Sequence, residues 1–91
     1  MKTIYKIREK FYDKEYEFSI PHFFEEMAND NLEFSDIERV IKTGVIRQKF
    51  THDPRGTRYE IVGRSYDGRE VAVICRIKST GKLLFITTYV I

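Results

Sequence analysis

Arg58, Arg64 and Arg76 lie in two strand-like runs joined by Tyr66-Asp67-Gly68, and the geometry of that joint decides whether they can act together. If the joint is a three-residue loop with Gly68 left-handed, Arg64 opposes Glu70 and Arg58 opposes Arg76. One face then carries Tyr59, Ile61, Gly63, Val71, Val73, Cys75 and Ile77. The other carries Arg58, Glu60, Val62, Arg64, Ala72, Ile74, Arg76 and Lys78. A two-residue Asp67-Gly68 turn would mix the two sets and bury arginine beside valine, so the pattern favours the longer loop. Guanidinium groups gathered on one face bind phosphate through paired N–H donors and stabilise developing negative charge without titrating. The competing reading is a solvated sheet face on which Glu60 neutralises its neighbours.

Other side chains could join that chemistry. His22 stands near the start of a helical segment, where the positive end of the helix dipole lowers an imidazole pKa and suits a neutral base. Beside Phe23 and Phe24 it reads equally well as a half-buried packing histidine. His52, before Asp53-Pro54, reads as solvated. Tyr59, Tyr66 and Tyr89 could stack on bases or donate protons, although strands favour tyrosine in any case. Glu25-Glu26 and the run Asp30, Glu33, Asp36, Glu38 form a solvent-facing acidic surface or a docking surface for a basic partner. The sequence has no phosphate-binding glycine loop, no nucleophile elbow and no cysteine or histidine cluster with metal-ligand spacing. Neither a metal nor a cofactor is expected.

The elements that must position these residues divide the chain by charge. Residues 45–91 hold nine Lys/Arg against four Asp/Glu, a local net of +5, whereas residues 1–44 hold seven against ten, a net of −3. The basic half therefore suits an anionic ligand such as nucleic acid. In the acidic half, Ile4, Ile7, Phe11 and Tyr12 recur at helical spacing and predict a helix over 3–12, with β-favouring Thr3 to Tyr5 as competition. Ser19 is placed to cap a second helix with Pro21 in its first turn, carrying Phe23, Phe24 and Met27 and fading near Asn29 to Asn31. Ser35 and Glu38 have the spacing of a capping box for a third helix. Its buried face is Ile37, Val40 and Ile41, and Gly44 ends it.

After Gly44 the pattern predicts four strands, 45–51, 57–65, 70–78 and 82–91, separated by Asp53-Pro54-Arg55-Gly56, Tyr66-Asp67-Gly68 and Ser79-Thr80-Gly81. Loops this short make neighbouring strands antiparallel. The fold class is therefore α+β, with two or three N-terminal helices on one face of a four-stranded antiparallel meander. Arg47 and Lys49 of the first strand would extend the basic surface. The last hairpin is open between two readings. A two-residue Thr80-Gly81 turn puts Thr87 and Tyr89 on the arginine face, and a three-residue loop puts them in the core.

Ninety-one residues predict one domain spanning 1–91. A hydrophobic content of 42% excludes disorder, and no apolar run has the length of a membrane span or of a signal peptide. The single cysteine, Cys75, sits in an apolar run and reads as a buried thiol, with the cytoplasm as the default compartment.

Several segments together resemble the domain-of-unknown-function 4258 family of small bacterial domains. They are Ser19-Ile20-Pro21-His22, the stretch Phe34-Ser35-Asp36-Ile37-Glu38-Arg39-Val40-Ile41-Lys42-Thr43-Gly44, and Asp53-Pro54-Arg55-Gly56-Thr57-Arg58-Tyr59. The pair Val62-Gly63, Asp67-Gly68-Arg69 and the closing Ile86-Thr87-Thr88-Tyr89 complete the set. The resemblance covers roughly residues 16–90 and implies kinship with RelE/BrnT-type toxins, a helices-plus-antiparallel-sheet fold used by metal-independent ribonucleases. It carries His22, Arg58, Thr87 and Tyr89 over as motif positions and Gly63 as a position that tolerates no side chain. Where many members have arginine four and eight residues after that histidine, this chain has Glu26 and Asp30.

The function so implied is that of an RNA-cleaving toxin of a toxin–antitoxin pair. His22 would be its general base or acid, Arg58 and Arg76 its phosphate clamp, and Tyr89 its orienting or proton-donating group. Arg47, Lys49, Arg64 and Thr87 would hold RNA, and the partners would be a cognate antitoxin and RNA or the ribosome. The alternative is a non-catalytic module of the same fold that binds protein or RNA.

Overall fold

The computed structural model describes residues 2–91. Its order is α1 (Thr3–Tyr12), β1 (Tyr16–Phe18), α2 (His22–Asn29), α3 (Phe34–Thr43), β2 (Val45–Phe50), β3 (Arg58–Arg64), β4 (Glu70–Ile77) and β5 (Leu83–Val90). The α+β class holds, but the sheet is five-stranded and mixed, in the order β1-β5-β4-β3-β2. The expected four-stranded antiparallel meander is corrected by β1, which pairs parallel with β5 through Tyr16↔Leu83, Glu17↔Leu84 and Phe18↔Phe85. Three residues are too few to show an alternating pattern, and what brings β1 in is aromatic burial. The Tyr16 and Phe18 rings lie 5.6 and 5.3 Å from the Phe85 ring, and both also meet Phe34.

All three helices lie on one face of this sheet. α3 packs on β3 and β4, α2 packs on β5, and α1 wedges against α3 and β5. Ile7, Phe11, Phe23, Met27, Ile37, Val40 and Ile41 meet Ile61, Val71, Val73, Cys75, Leu83 and Phe85 in the core between the layers. Burial pushes the Cys75 thiol up to about 12, which leaves it protonated and inert. No described helix is long and apolar enough to cross a membrane.

The helix ends differ from expectation in instructive ways. Ser19 contributes no side-chain cap to α2; Pro21 holds the cap position after a cis Ile20–Pro21 bond, and the Ser19 carbonyl accepts the Phe23 N–H at 2.8 Å. At α3 the capping pair sits two residues earlier than the Ser35–Glu38 spacing suggested. Asp36 Oδ2 accepts the Glu33 N–H at 3.0 Å while its Oδ1 accepts the Tyr66 N–H at 2.9 Å from the β3–β4 loop. That long-range second bond is what selects the earlier start. The far end of α3 is closed by Arg8, which donates from Nε to the Ile41 carbonyl and from Nη2 to the Gly44 carbonyl, both at 2.8 Å.

Two glycines let α3 lie directly on β3. A Cβ on Gly44 would stand 2.5 Å from the Val40 carbonyl oxygen and 2.6 Å from that of Val62; one on Gly63 would stand 3.2 Å from the Cα atoms of Gly44 and Val40. A side chain at Gly63 would therefore require the helix and strand backbones to move apart by a few tenths of an ångström.

β3 and β4 pair in the expected register, Arg58↔Arg76 through Arg64↔Glu70, with Gly68 at φ 88°. The β4–β5 hairpin follows neither of the two readings fully. Its loop is the three-residue one, closed by the Lys78 N–H on the Lys82 carbonyl with Gly81 at φ 93°. A bulge opposite Ile74/Cys75 then shifts the register, giving Cys75↔Phe85 but Ile74↔Thr87 and Ala72↔Tyr89. Thr87 and Tyr89 thus share the arginine face, and Thr88 is buried with its hydroxyl donating to the Ala72 carbonyl at 2.8 Å.

Candidate functional site

No helix packs on the other face of the sheet, although Glu60, Ala72, Ile74 and Arg76 there are buried, and the residues of this face are arranged in cross-strand rows. Arg58 on β3 stands opposite Arg76 on β4, Glu60 opposite Ile74, and Val62 opposite Ala72; on β5 the rows continue with Leu84, Thr87 and Tyr89. Phe50 of β2 pairs with Arg58, whose guanidinium lies over the Phe50 ring 5.0 Å from its centroid.

At the first of these rows three guanidinium groups share one carboxylate. The loop after β2 brings Asp53 over the face, with its side chain 6% exposed. Its Oδ1 accepts the Arg55 N–H at 2.9 Å and Arg55 Nε at 3.2 Å, and its Oδ2 lies 3.3 Å from Arg58 Nε and 3.7 Å from Arg76 Nη1. Hydrogen bonds from the Arg55 backbone and side chain hold the Asp53 carboxyl below the usual carboxylate range. Arg76 is 8% exposed, and the Nε groups of both Arg58 and Arg76 are buried with no hydrogen-bond partner. The local balance is three positive charges against one.

The neighbouring row is a closed relay. Arg47 donates from Nε to Glu60 Oε1 at 2.5 Å, and the Tyr89 hydroxyl donates to Glu60 Oε2 at 2.6 Å. Tyr89 stands opposite Ala72, so its ring must cross β4 to reach β3, and the small alanine leaves room for it. Burial works to raise the Glu60 pKa, but the Arg47 and Tyr89 hydrogen bonds outweigh it, so the carboxyl titrates below the usual 4.5. The bond to Glu60, aided by burial, raises the Tyr89 phenol above its usual 10.0. Across neutral pH this row therefore holds an ionised glutamate and a protonated tyrosine.

These shifts set an expected acid response. Glu60, Asp53, Asp67 and Glu17 all have depressed folded-state values. Each contributes stability that is present above its unfolded pKa and lost as pH falls through the folded one. Urea unfolding should thus show stability level down to the ordinary carboxylate range near 4.5 and falling below it. Glu60→Gln should be less stable than wild type at pH 7 and show a shallower acid decline. An unchanged decline in Glu60→Gln would remove Glu60 from that account.

The remaining candidates are dispersed around these two rows. Thr87 lies on the face opposite Ile74. Arg64 sits at its end, donating to the Gly68 carbonyl at 2.9 Å and lying 4.0 Å from Glu70. Lys49 pairs with Tyr59, whose ring packs on the core side, so Lys49 is on the opposite face and drops out of an RNA surface built on the arginines. Arg47 occupies a bulge in β2 and belongs to the relay.

His22 is on α2 with its side chain 53% exposed, and Glu26 lies 4.0 Å from its Nδ1. No hydrogen bond or ion pair among the described residues joins it to Arg58, Arg76 or Tyr89. Asp30, eight residues after His22, accepts the Val90 N–H at 2.9 Å and so pins the end of β5.

Sequence reasoning missed Asp53 and Arg55, which it read as turn residues, and took Glu60 only as a neutraliser. The signal for Asp53 was a carboxylate two residues before Arg55 in a loop that must return over Arg58. The family model for a domain of unknown function, DUF4258, matches residues 21–90. The chain belongs to the DUF4258 family. The match takes in α2, α3 and β2–β5, so both rows of the helix-free face lie within the DUF4258 domain, while α1 and β1 precede it. No curated protein and no solved structure shows significant similarity to the chain.

Proposed function

We propose that this DUF4258 protein binds single-stranded RNA on the helix-free face of its sheet, with Arg58 and Arg76 as the phosphate subsite. The observation that carries the reading is the uncompensated charge at that row. Among the described residues, every other ion pair of the face has one cation per anion: Arg47 with Glu60, Arg64 with Glu70 and Lys78 with Glu17. Arg55, Arg58 and Arg76 alone share a single carboxylate, and the paired guanidinium forks match phosphate oxygens. Phe50, beside Arg58, offers a ring on which a base can stack.

A second reading, RNA cleavage as a RelE-like toxin, is favoured by Tyr89, two rows from Arg76, whose protonated hydroxyl reaches back to Glu60 in the row between. In it the RNA 2′-oxygen forms a bond to phosphorus and releases its proton to water. The bond from phosphorus to the 5′-oxygen breaks, and Tyr89 gives up its bond to Glu60 to supply the proton that oxygen needs and is reprotonated from water, with Arg58 and Arg76 holding the developing charge. Such a toxin would be held by a cognate antitoxin and would meet RNA free or on the ribosome.

The test is fluorescence anisotropy with a labelled oligouridylate at several salt concentrations, with the products then run on a gel. Saturable binding that weakens steeply with salt and is impaired in Arg76→Ala supports the RNA-binding reading. A new product ending in a 2′,3′-cyclic phosphate, lost in Tyr89→Phe, supports cleavage. Absence of binding at low salt by the folded wild type and by its Asp53→Asn variant alike would sink both.

A further inference from the structure

We propose that Asp53 is the resting occupant of the phosphate subsite, and that an RNA phosphate binds there by displacing its carboxylate. The inference rests on the reading of Arg58 and Arg76 as that subsite. Asp53 is nearly buried although the next two residues, Pro54 and Arg55, are exposed, so the loop turns this one acidic side chain inward. The carboxylate lies between two guanidinium groups that sit opposite each other on adjacent strands.

The fit is loose. Distances of 3.3 Å to Arg58 and 3.7 Å to Arg76 exceed the 2.7–2.9 Å or so of charge-assisted hydrogen bonds, and both Nε–H groups remain unpartnered. The firm contacts of Asp53 are instead to Arg55 in its own loop. A carboxylate held by its loop and only approached by the sheet arginines can leave with the loop. A phosphate, with its larger tetrahedron of oxygens, can reach both forks at once. Gly56, at φ 122°, folds the loop back so that it rests on the Arg76 stem; a Cβ there would lie 3.4 Å from Arg76 Cδ. The loop and the ligand therefore compete for the same arginine.

Asp53 consequently sets the affinity threshold. A ligand has to offer these arginines more than one carboxylate does, which favours polyanions with a phosphate at this row over isolated small anions.

The experiment compares wild type, Asp53→Asn, Asp53→Ser, Arg76→Ala and the double variant Asp53→Asn/Arg76→Ala for binding the same labelled oligouridylate, each checked for folding by circular dichroism. Removing the competing charge should tighten binding by about tenfold or more in both Asp53 variants. The gain should vanish when Arg76 is also replaced. Binding by Asp53→Asn where wild type shows none, again dependent on Arg76, supports the inference equally. Unchanged or weaker binding by both Asp53 variants, with wild type still binding through Arg76, overturns it and leaves the RNA-binding reading intact; Asp53 then orients the arginines. A gain that survives loss of Arg76 also overturns it. No binding by wild type or either Asp53 variant overturns the inference together with the reading beneath it.

Discussion

Replacing Phe85 by alanine is expected to cost about 3–5 kcal/mol of stability and to lower the melting temperature by roughly 12–40 °C. Phe85 has no solvent exposure, and its ring is the meeting point of four others. Phe18 stacks on it at 5.3 Å, and Tyr16, Phe23 and Phe11 approach at 5.6, 5.7 and 6.1 Å. Those rings come from β1, α2 and α1, so a cavity at this position loosens every element that the N-terminal half adds to the sheet. Collapse around the cavity is hindered because β1 is already fixed to β5 by backbone pairing. Phe85→Leu, which keeps most of the volume, should cost about 1.5 kcal/mol or less. Thermal and urea unfolding of the two variants checks both values. An alanine cost below about 1 kcal/mol would mean that the aromatic cluster is not what holds β1 in place.

The second large effect is on binding. Arg58→Ala combined with Arg76→Ala should weaken RNA binding on the order of a hundredfold or more. Each charged hydrogen bond contributes about 1.5–3 kcal/mol, and tenfold corresponds to about 1.4 kcal/mol. The plot of log affinity against log salt should flatten by about 0.7, the contribution of one neutralised phosphate on a single strand. The fold should tolerate the change. Arg58 is partly exposed and Arg76 brings a buried Nε with no partner, so removing them relieves desolvation while giving up a loose pairing to Asp53. Lysine at both positions retains the charge without the fork and should recover only part of the affinity. Equal affinity and equal salt slope in the double variant and wild type would move the binding surface away from this row.

The difference between these two predictions follows what could be read along the chain. The arginine row was legible because β3 and β4 are joined by a short loop with a left-handed glycine, and alternation then leaves one register that keeps the arginines off the face of Val71 and Val73. The Phe85 cluster was not legible. Its partners lie about seventy residues away in sequence or in a three-residue strand, and no local period announces a parallel pairing across that separation.

Tyr89 falls between the two cases. Its face depended on a turn length and on a bulge together, and the bulge at Ile86 reversed the face that the three-residue loop by itself would have set. His22 shows the same limit from the other side. Its place beside Pro21 was readable, but its distance in contacts from the arginines depends on α2 packing along β5.

By itself the sequence determined the α+β class, the three helices, four of the strands and the face shared by Arg58 and Arg76, because each follows from periodicity or from the chemistry of a short turn. Only the tertiary structure decided that β1 completes the sheet, that Glu60 links Arg47 to Tyr89, and that Asp53 comes to rest between two arginines. Those contacts join segments with no common period, and they form where burial and charge bring distant residues into reach.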